Sequence, residues 1–258
     1  MRRALSWLLL LGLPACGHGN KDRSALAPTP VAQAASPDEL DRLWDLGIAA
    51  FRHGDWKHAT ETFQRVVQEF PPGDPRVAQA HFYLGEVQFA RSENLEAVRE
   101  FRRVSDEAPN DPLAPEALLR AGDAYADLWK RPELDPTYGT TALAAYNELL
   151  SRYPGTPAAD RGQKKVTVLQ EWFALKQYKA AEYYLRFKAY DSAILYLKDL
   201  VATYPRTSIA PEALLRLIGA YQKLGYKEDE RETCGYLRRF HPKAPGVGRA
   251  CPAEPGTS

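Results

Sequence analysis

A proline register constrains this chain more than any other feature. Counting back twelve residues from Pro71, Pro109, Pro154 and Pro205 reaches an alanine each time: Ala59, Ala97, Ala142 and Ala193. Four residues after each alanine stands a large apolar side chain, Phe63, Phe101, Tyr146 or Leu197. Proline lacks an N–H and clashes with the preceding turn, so each stretch reads as a helix closed at its proline. The clearest copy runs from Tyr178 to Pro205, where Ala181 and Ala193 lie twelve residues apart across a turn at Phe187 to Tyr190. Small residues at a helix crossing let the axes approach to about 8–10 Å, and Tyr184 and Leu197 supply the bulk beside it. Gly47 and Gly85 stand twelve residues before the first two alanines, and Gly122 stands twenty before the third. A fifth copy ends at Pro242 with Tyr221 in its first helix, but Glu230 and Cys234 replace the alanine and the large apolar residue. Terminal repeats of a stack weaken in this way. An ordinary helical bundle has no reason to hold one proline register through four copies.

The spacing resembles the tetratricopeptide repeat (TPR), a helical hairpin of about 34 residues with small, aromatic and proline positions. The resemblance covers residues 40–242. It predicts an all-α, right-handed α-solenoid of five TPR hairpins over residues 37–242. An apolar content of 45% suits such a packed chain. Lys and Arg number 34 against 33 Asp and Glu, a net charge of +1. That balance carries no electrostatic footprint for nucleic acid.

Residues 1–15 carry Arg2 and Arg3 and then an apolar run from Ala4 to Leu13. The run falls short of the roughly 20 residues that span a bilayer, so it reads as a secretory signal. Leu13-Pro14-Ala15-Cys16 resembles the bacterial lipobox, which implies cleavage before Cys16, its acylation, and attachment to the membrane through that lipid. Acyl chains contribute about 0.8 kcal/mol per buried CH₂. Residues 16–36 are rich in Ala, Pro and Gly and read as a flexible tether of about 25 Å root-mean-square reach. Residues 243–258 read as an irregular tail. Two cysteines remain in this exported chain. Either Cys234 and Cys251 form a disulfide, or Cys234 is a buried free thiol and Cys251 lies in a loose tail.

The third repeat departs most, because its turn is lengthened by a segment holding Pro132, Pro136 and Gly139. Five repeats behind a lipobox resemble the BamD family, lipoproteins of the outer-membrane β-barrel assembly machinery. Further marks are Asp135-Pro136-Thr137 in that turn and the Tyr183, Tyr184, Tyr190 and Ala193 pattern in repeat four. The resemblance implies an outer-membrane-anchored periplasmic scaffold. Its C-terminal repeats would dock a BamA-like barrel protein with periplasmic POTRA modules, and its N-terminal groove would receive the C-terminal peptides of unfolded outer-membrane proteins. The rival readings are a lipid-anchored TPR adaptor for peptidoglycan or constriction machinery, and an envelope hydrolase.

Nothing in the sequence supports catalysis or a cofactor. His53 and His58 are five apart, which does not fit the i, i+4 zinc pattern, and no P-loop, dinucleotide fingerprint or nucleophile elbow occurs. His81 reads as a partly buried helix-contact residue. Since the first helix of each TPR hairpin lines the concave surface, the peptide groove is expected at Trp44, Ile48, Phe51, Arg52, Phe82, Glu86 and Phe89, with Glu116, Asp123 and Asp127 making its middle acidic. Docking of the barrel partner is expected on a basic face of Arg206, Arg216, Lys223 and Lys227.

Overall fold

The structure, a computed structural model, describes residues 36–251. These residues fold as an all-α solenoid of five hairpins: α1 (Pro37–Arg52) with α2 (Trp56–Glu69), α3 (Pro75–Ala90) with α4 (Asn94–Glu107), α5 (Ala114–Leu128) with α6 (Thr137–Arg152), α7 (Pro157–Arg186) with α8 (Tyr190–Thr203), and α9 (Ala210–Leu224) with α10 (Lys227–Phe240). A short α11 (Val247–Ala250) follows. Each helix from α1 to α10 packs on the next, and α1 touches α3, α5 touches α7, and α7 touches α9. First helices of neighbouring repeats therefore form one rank, and the second helices form the other.

The register read from the prolines is the core itself. Ala59, Ala97, Ala142 and Ala193 are fully buried, as are Phe63, Phe101, Tyr146 and Leu197. In the first three repeats the ring packs on a glycine of the first helix. A Cβ at Gly47 would lie 2.9 Å from Phe63, and one at Gly85 would lie 2.6 Å from Phe101. Gly122 meets Tyr146 in the same way. Proline also starts helices: α1, α3, α5, α7 and α9 each hold one in their first two positions, where the missing N–H costs nothing.

Three local features differ from the sequence expectation. Helix α7 has 30 residues and starts at Pro157, capped by the Thr156 side chain accepting from the Ala159 N–H, so the hairpin read from Tyr178 is only its C-terminal part. The third turn is shorter than expected, because α6 begins at Thr137 and takes in Gly139, and Trp129 at its start is buried against Trp172 and Phe173 of α7 and beneath Gly139. The segment after 242 is not irregular throughout, because α11 packs on α9 and α10. Cys234 and Cys251 are joined by a disulfide, 17 residues apart in sequence. With no large apolar residue at position 234, Val247 and the disulfide fill the space beside Leu214, Ile218 and Leu237. The signal run, the Cys16 lipobox and all of the tether before Ser36 lie outside the described residues. None of the described helices is long and apolar enough to cross a membrane.

Candidate functional site

The first helices of the first four repeats enclose a cavity of about 590 Å³. Its N-terminal wall is aromatic, from Phe51 at the end of α1 and Phe82 and Tyr83 on α3. Its far wall is cationic, from Arg161, Lys164 and Lys165 in the first turns of α7. Between them lies an ionic cluster centred on Arg120 of α5. The guanidinium donates to both Glu86 carboxylate oxygens at 2.5 and 2.9 Å, and to Asp123 at 3.3 Å. It also stacks over the Phe89 ring at 4.5 Å, a favourable contact between a cation and a ring face. Burial works against the Arg120 charge, but Glu86 and Asp123 outweigh it and raise its pKa.

Asp123 accepts in addition from the Tyr146 hydroxyl at 2.7 Å and pairs with Lys165 at 3.0 Å. Burial, reinforced by the Asp123 charge, pushes the Tyr146 phenol far up, so it stays a neutral donor. Glu116 pairs with Arg161, and Asp127 pairs with Lys130 at 2.9 Å and accepts from Asn94 at 2.7 Å. The middle of the groove, expected to be acidic, is thus neutralised by cations from α5 and α7. Lys164 alone of the cavity's cations has no carboxylate within ion-pair distance among the described residues.

The expected groove residues separate into two groups. Phe51, Phe82 and Glu86 line the cavity, and Phe89 lines an adjoining one of about 410 Å³ with Tyr146 and Trp172. Trp44 and Ile48 line neither; they pack into the core shared by the first two repeats, with Trp44 5.8 Å from Phe63 and 6.0 Å from Tyr83. A residue on the inner face of α1 also meets α3, and that inter-repeat contact covers Trp44. Arg52 is exposed at the end of α1 and does not line the cavity. Tyr83, Arg120, Arg161, Lys164 and Lys165 were not in the sequence reading. The Thr156-Pro157 pair, a helix-start pattern, carries α7 back to the last three of them.

The four C-terminal cations do not make one free basic face. Arg216 pairs with Glu212 at 2.9 Å and donates to the Tyr178 hydroxyl at 3.2 Å, while Lys227 pairs with Glu230 at 3.3 Å. Arg206 and Lys223 are exposed. The same repeats instead present an aromatic surface around the α7–α8 turn. Tyr183 and Phe187 are 56% and 65% exposed with ring centroids 4.9 Å apart, and Tyr184 stacks on Tyr196 at 5.4 Å. His81 is buried, with Nδ1 2.7 Å from Glu100. Among the described residues no group of three or more His, Cys, Asp or Glu is placed to hold a metal ion.

Residues 37–235 match the family model described as "YfiO: Outer membrane lipoprotein". The chain is similar to outer membrane protein assembly factor BamD of Caulobacter vibrioides, at 24% identity over 198 residues, which is 77% of this chain and 65% of that protein. It is similar also to outer membrane protein assembly factor BamD of Vibrio cholerae, at 36% identity over 112 residues, which is 43% of this chain and 46% of that one. The alignments span less than two thirds of the length of both relatives. Among solved structures, a TPR repeats protein from Bacteroides fragilis superposes with a TM-score of 0.46 at 13% identity, over 82% of this chain and 95% of that one.

Proposed function

Because the chain belongs to the YfiO family of outer-membrane lipoproteins, we propose that it is a periplasmic scaffold of a β-barrel assembly machinery, held to the outer membrane through lipid on Cys16. Its inner groove receives the C-terminal segments of unfolded outer-membrane proteins. The observation that carries this reading is the polarity of one cavity: aromatic rings at one end, and at the other Lys164, which pairs with no carboxylate among the described residues. A segment that ends in an aromatic residue with a free carboxylate matches both ends. Its ring meets Phe51, Phe82 and Tyr83, and its carboxylate meets Lys164, with Arg161 and Lys165 beside it. Lys164 thus takes the role expected of Arg52.

Docking of a BamA-like barrel protein with POTRA modules falls to the C-terminal repeats. The exposed Tyr183 and Phe187 rings fit an interface core better than the partly paired cations do, since interface anchors are enriched in aromatics. Co-purification of the full lipidated chain from its own membranes tests the reading. A barrel protein with periplasmic modules is expected to accompany it, and Tyr183→Ala with Phe187→Ala should reduce the recovery. Recovery of peptidoglycan enzymes without any barrel protein would overturn it.

A further inference from the structure

A second cleft lies between the fourth and fifth repeats, walled by α8 and α10 and floored by α9, with a volume of about 450 Å³. The seam between the second helices of repeats two and three is closed by charge. Across the α4–α6 seam, Arg102 pairs with Glu148 at 2.7 Å, Arg152 pairs with Asp106 at 3.3 Å, and Arg152 donates to the Ser105 carbonyl at 2.6 Å. Across the α8–α10 seam, the Tyr226 hydroxyl at the N-cap of α10 donates to Asp191 of α8 at 3.3 Å, and among the described residues no ion pair joins the two helices. The seam is left open over an apolar lining that includes Val201, Ala202, Pro205 and Leu217.

One wall is acidic. Asp229 and Glu232 of α10 line the cleft, and neither has a cation within ion-pair distance among the described residues. The Tyr221 phenol beneath them is pushed up, first by burial and then by these two charges. Lys198 on the opposite wall is the cleft's one cation among its lining residues, and it reaches neither carboxylate. Past the acidic wall the lining continues onto Tyr236, whose ring lies 4.5 Å from that of the exposed Phe240.

We propose that this cleft is a docking site for a segment of another protein that carries an apolar anchor beside a Lys or Arg. The apolar side chain enters between Ala202 and Leu217, and the cation completes Asp229 and Glu232, which have no cationic partner among the described residues. This site is independent of the client groove and of the aromatic surface at the α7–α8 turn. The cleft volume lies within the roughly 300–1,000 Å³ typical of ligand clefts, so it suits a short segment and not a whole domain face.

The test is a selection of displayed random twelve-residue peptides on the full chain, with counter-selection on Ala202→Trp, which fills the cleft from an exposed position. Surviving peptides are expected to pair an apolar residue with Lys or Arg. Their affinity should fall about tenfold on Asp229→Lys/Glu232→Lys, should fall less on Asp229→Asn/Glu232→Gln, and should weaken with salt as exposed charge pairs do. If Ala202→Trp fails to fold, the charge-reversed variant serves for counter-selection. An empty counter-selected pool, survivors without basic enrichment, or equal binding by the charge-reversed chain would each overturn the proposal. A second copy of this chain filling the cleft, detected as a dimer that Ala202→Trp abolishes, would overturn it as well.

Discussion

Removing the Cys234–Cys251 disulfide should loosen the last repeat by a calculable amount. The bond closes a loop with a sequence separation of 17 residues, and the chain-entropy relation assigns about 3 kcal/mol to a loop of that length. Val247, Cys251, Leu214 and Ile218 are buried together, so freeing α11 also uncovers apolar surface on α9 and α10. With a urea slope of about 2 kcal/mol per molar, the expected fall in midpoint is about 1.5 M. In a solenoid each repeat contacts only its neighbours, so the loss should concentrate in the fifth hairpin. Urea unfolding of Cys234→Ala/Cys251→Ala, read with hydrogen exchange resolved by peptide, measures both the size and the place. Reductant added to the parent should reproduce the variant. An unchanged midpoint together with unchanged protection of α10 would refute the reasoning.

Three further outcomes follow from local geometry. Lys188 holds a positive φ of 58° in the α7–α8 turn, at the place that Gly54 and Gly225 fill in other hairpins. Lys188→Gly should therefore stabilise by about 1 kcal/mol in thermal unfolding. Gly122→Ala drives a Cβ into the fully buried Tyr146 ring, and an overpacking cost of about 1–3 kcal/mol should exceed the helix-propensity gain of about 1 kcal/mol. Asp74 caps α3, and its hydrogen bonds from Arg76 hold its pKa below the ordinary aspartate value. Its contribution is present in full above that value and is lost as the pH falls through the folded pKa. Asp74→Asn should accordingly lower stability at neutral pH and flatten the acid limb of a stability–pH curve.

The hairpins were legible because their determinants are local. Ala97, Phe101 and Pro109 sit in one helix and its cap, and the same spacing recurs until Cys234 interrupts it. The groove was less legible because its walls come from different repeats. Spacing places Trp44 on the inner face of α1, but only the position of α3 decides that Tyr83 packs on both Trp44 and Phe51 and that Phe51, not Trp44, reaches the cavity. The cationic wall was missed because repeat four was read from Tyr178, and Arg161, Lys164 and Lys165 lie on the part of α7 before it. The acidic residues were found, but their neutralisation depends on Arg120 reaching 34 positions back to Glu86, which no periodicity encodes. Sequence left the disulfide open because it gives no distance between residues 17 apart.

In the proposed function, one cavity receives an aromatic ring at one end and a carboxylate at the other. Calorimetric titration of the full chain with a synthetic outer-membrane-protein C-terminal peptide tests it most directly, using the peptide with a free terminal carboxylate and again amidated. Amidation should weaken binding to the parent about fivefold or more, the worth of roughly 1 kcal/mol for a charge-assisted contact. Lys164→Glu, an exposed substitution that leaves the fold alone, should weaken the free-acid peptide and abolish most of the difference between the two. Equal affinity for both peptides, and no effect of Lys164→Glu, would contradict the assignment of this cavity as the client groove.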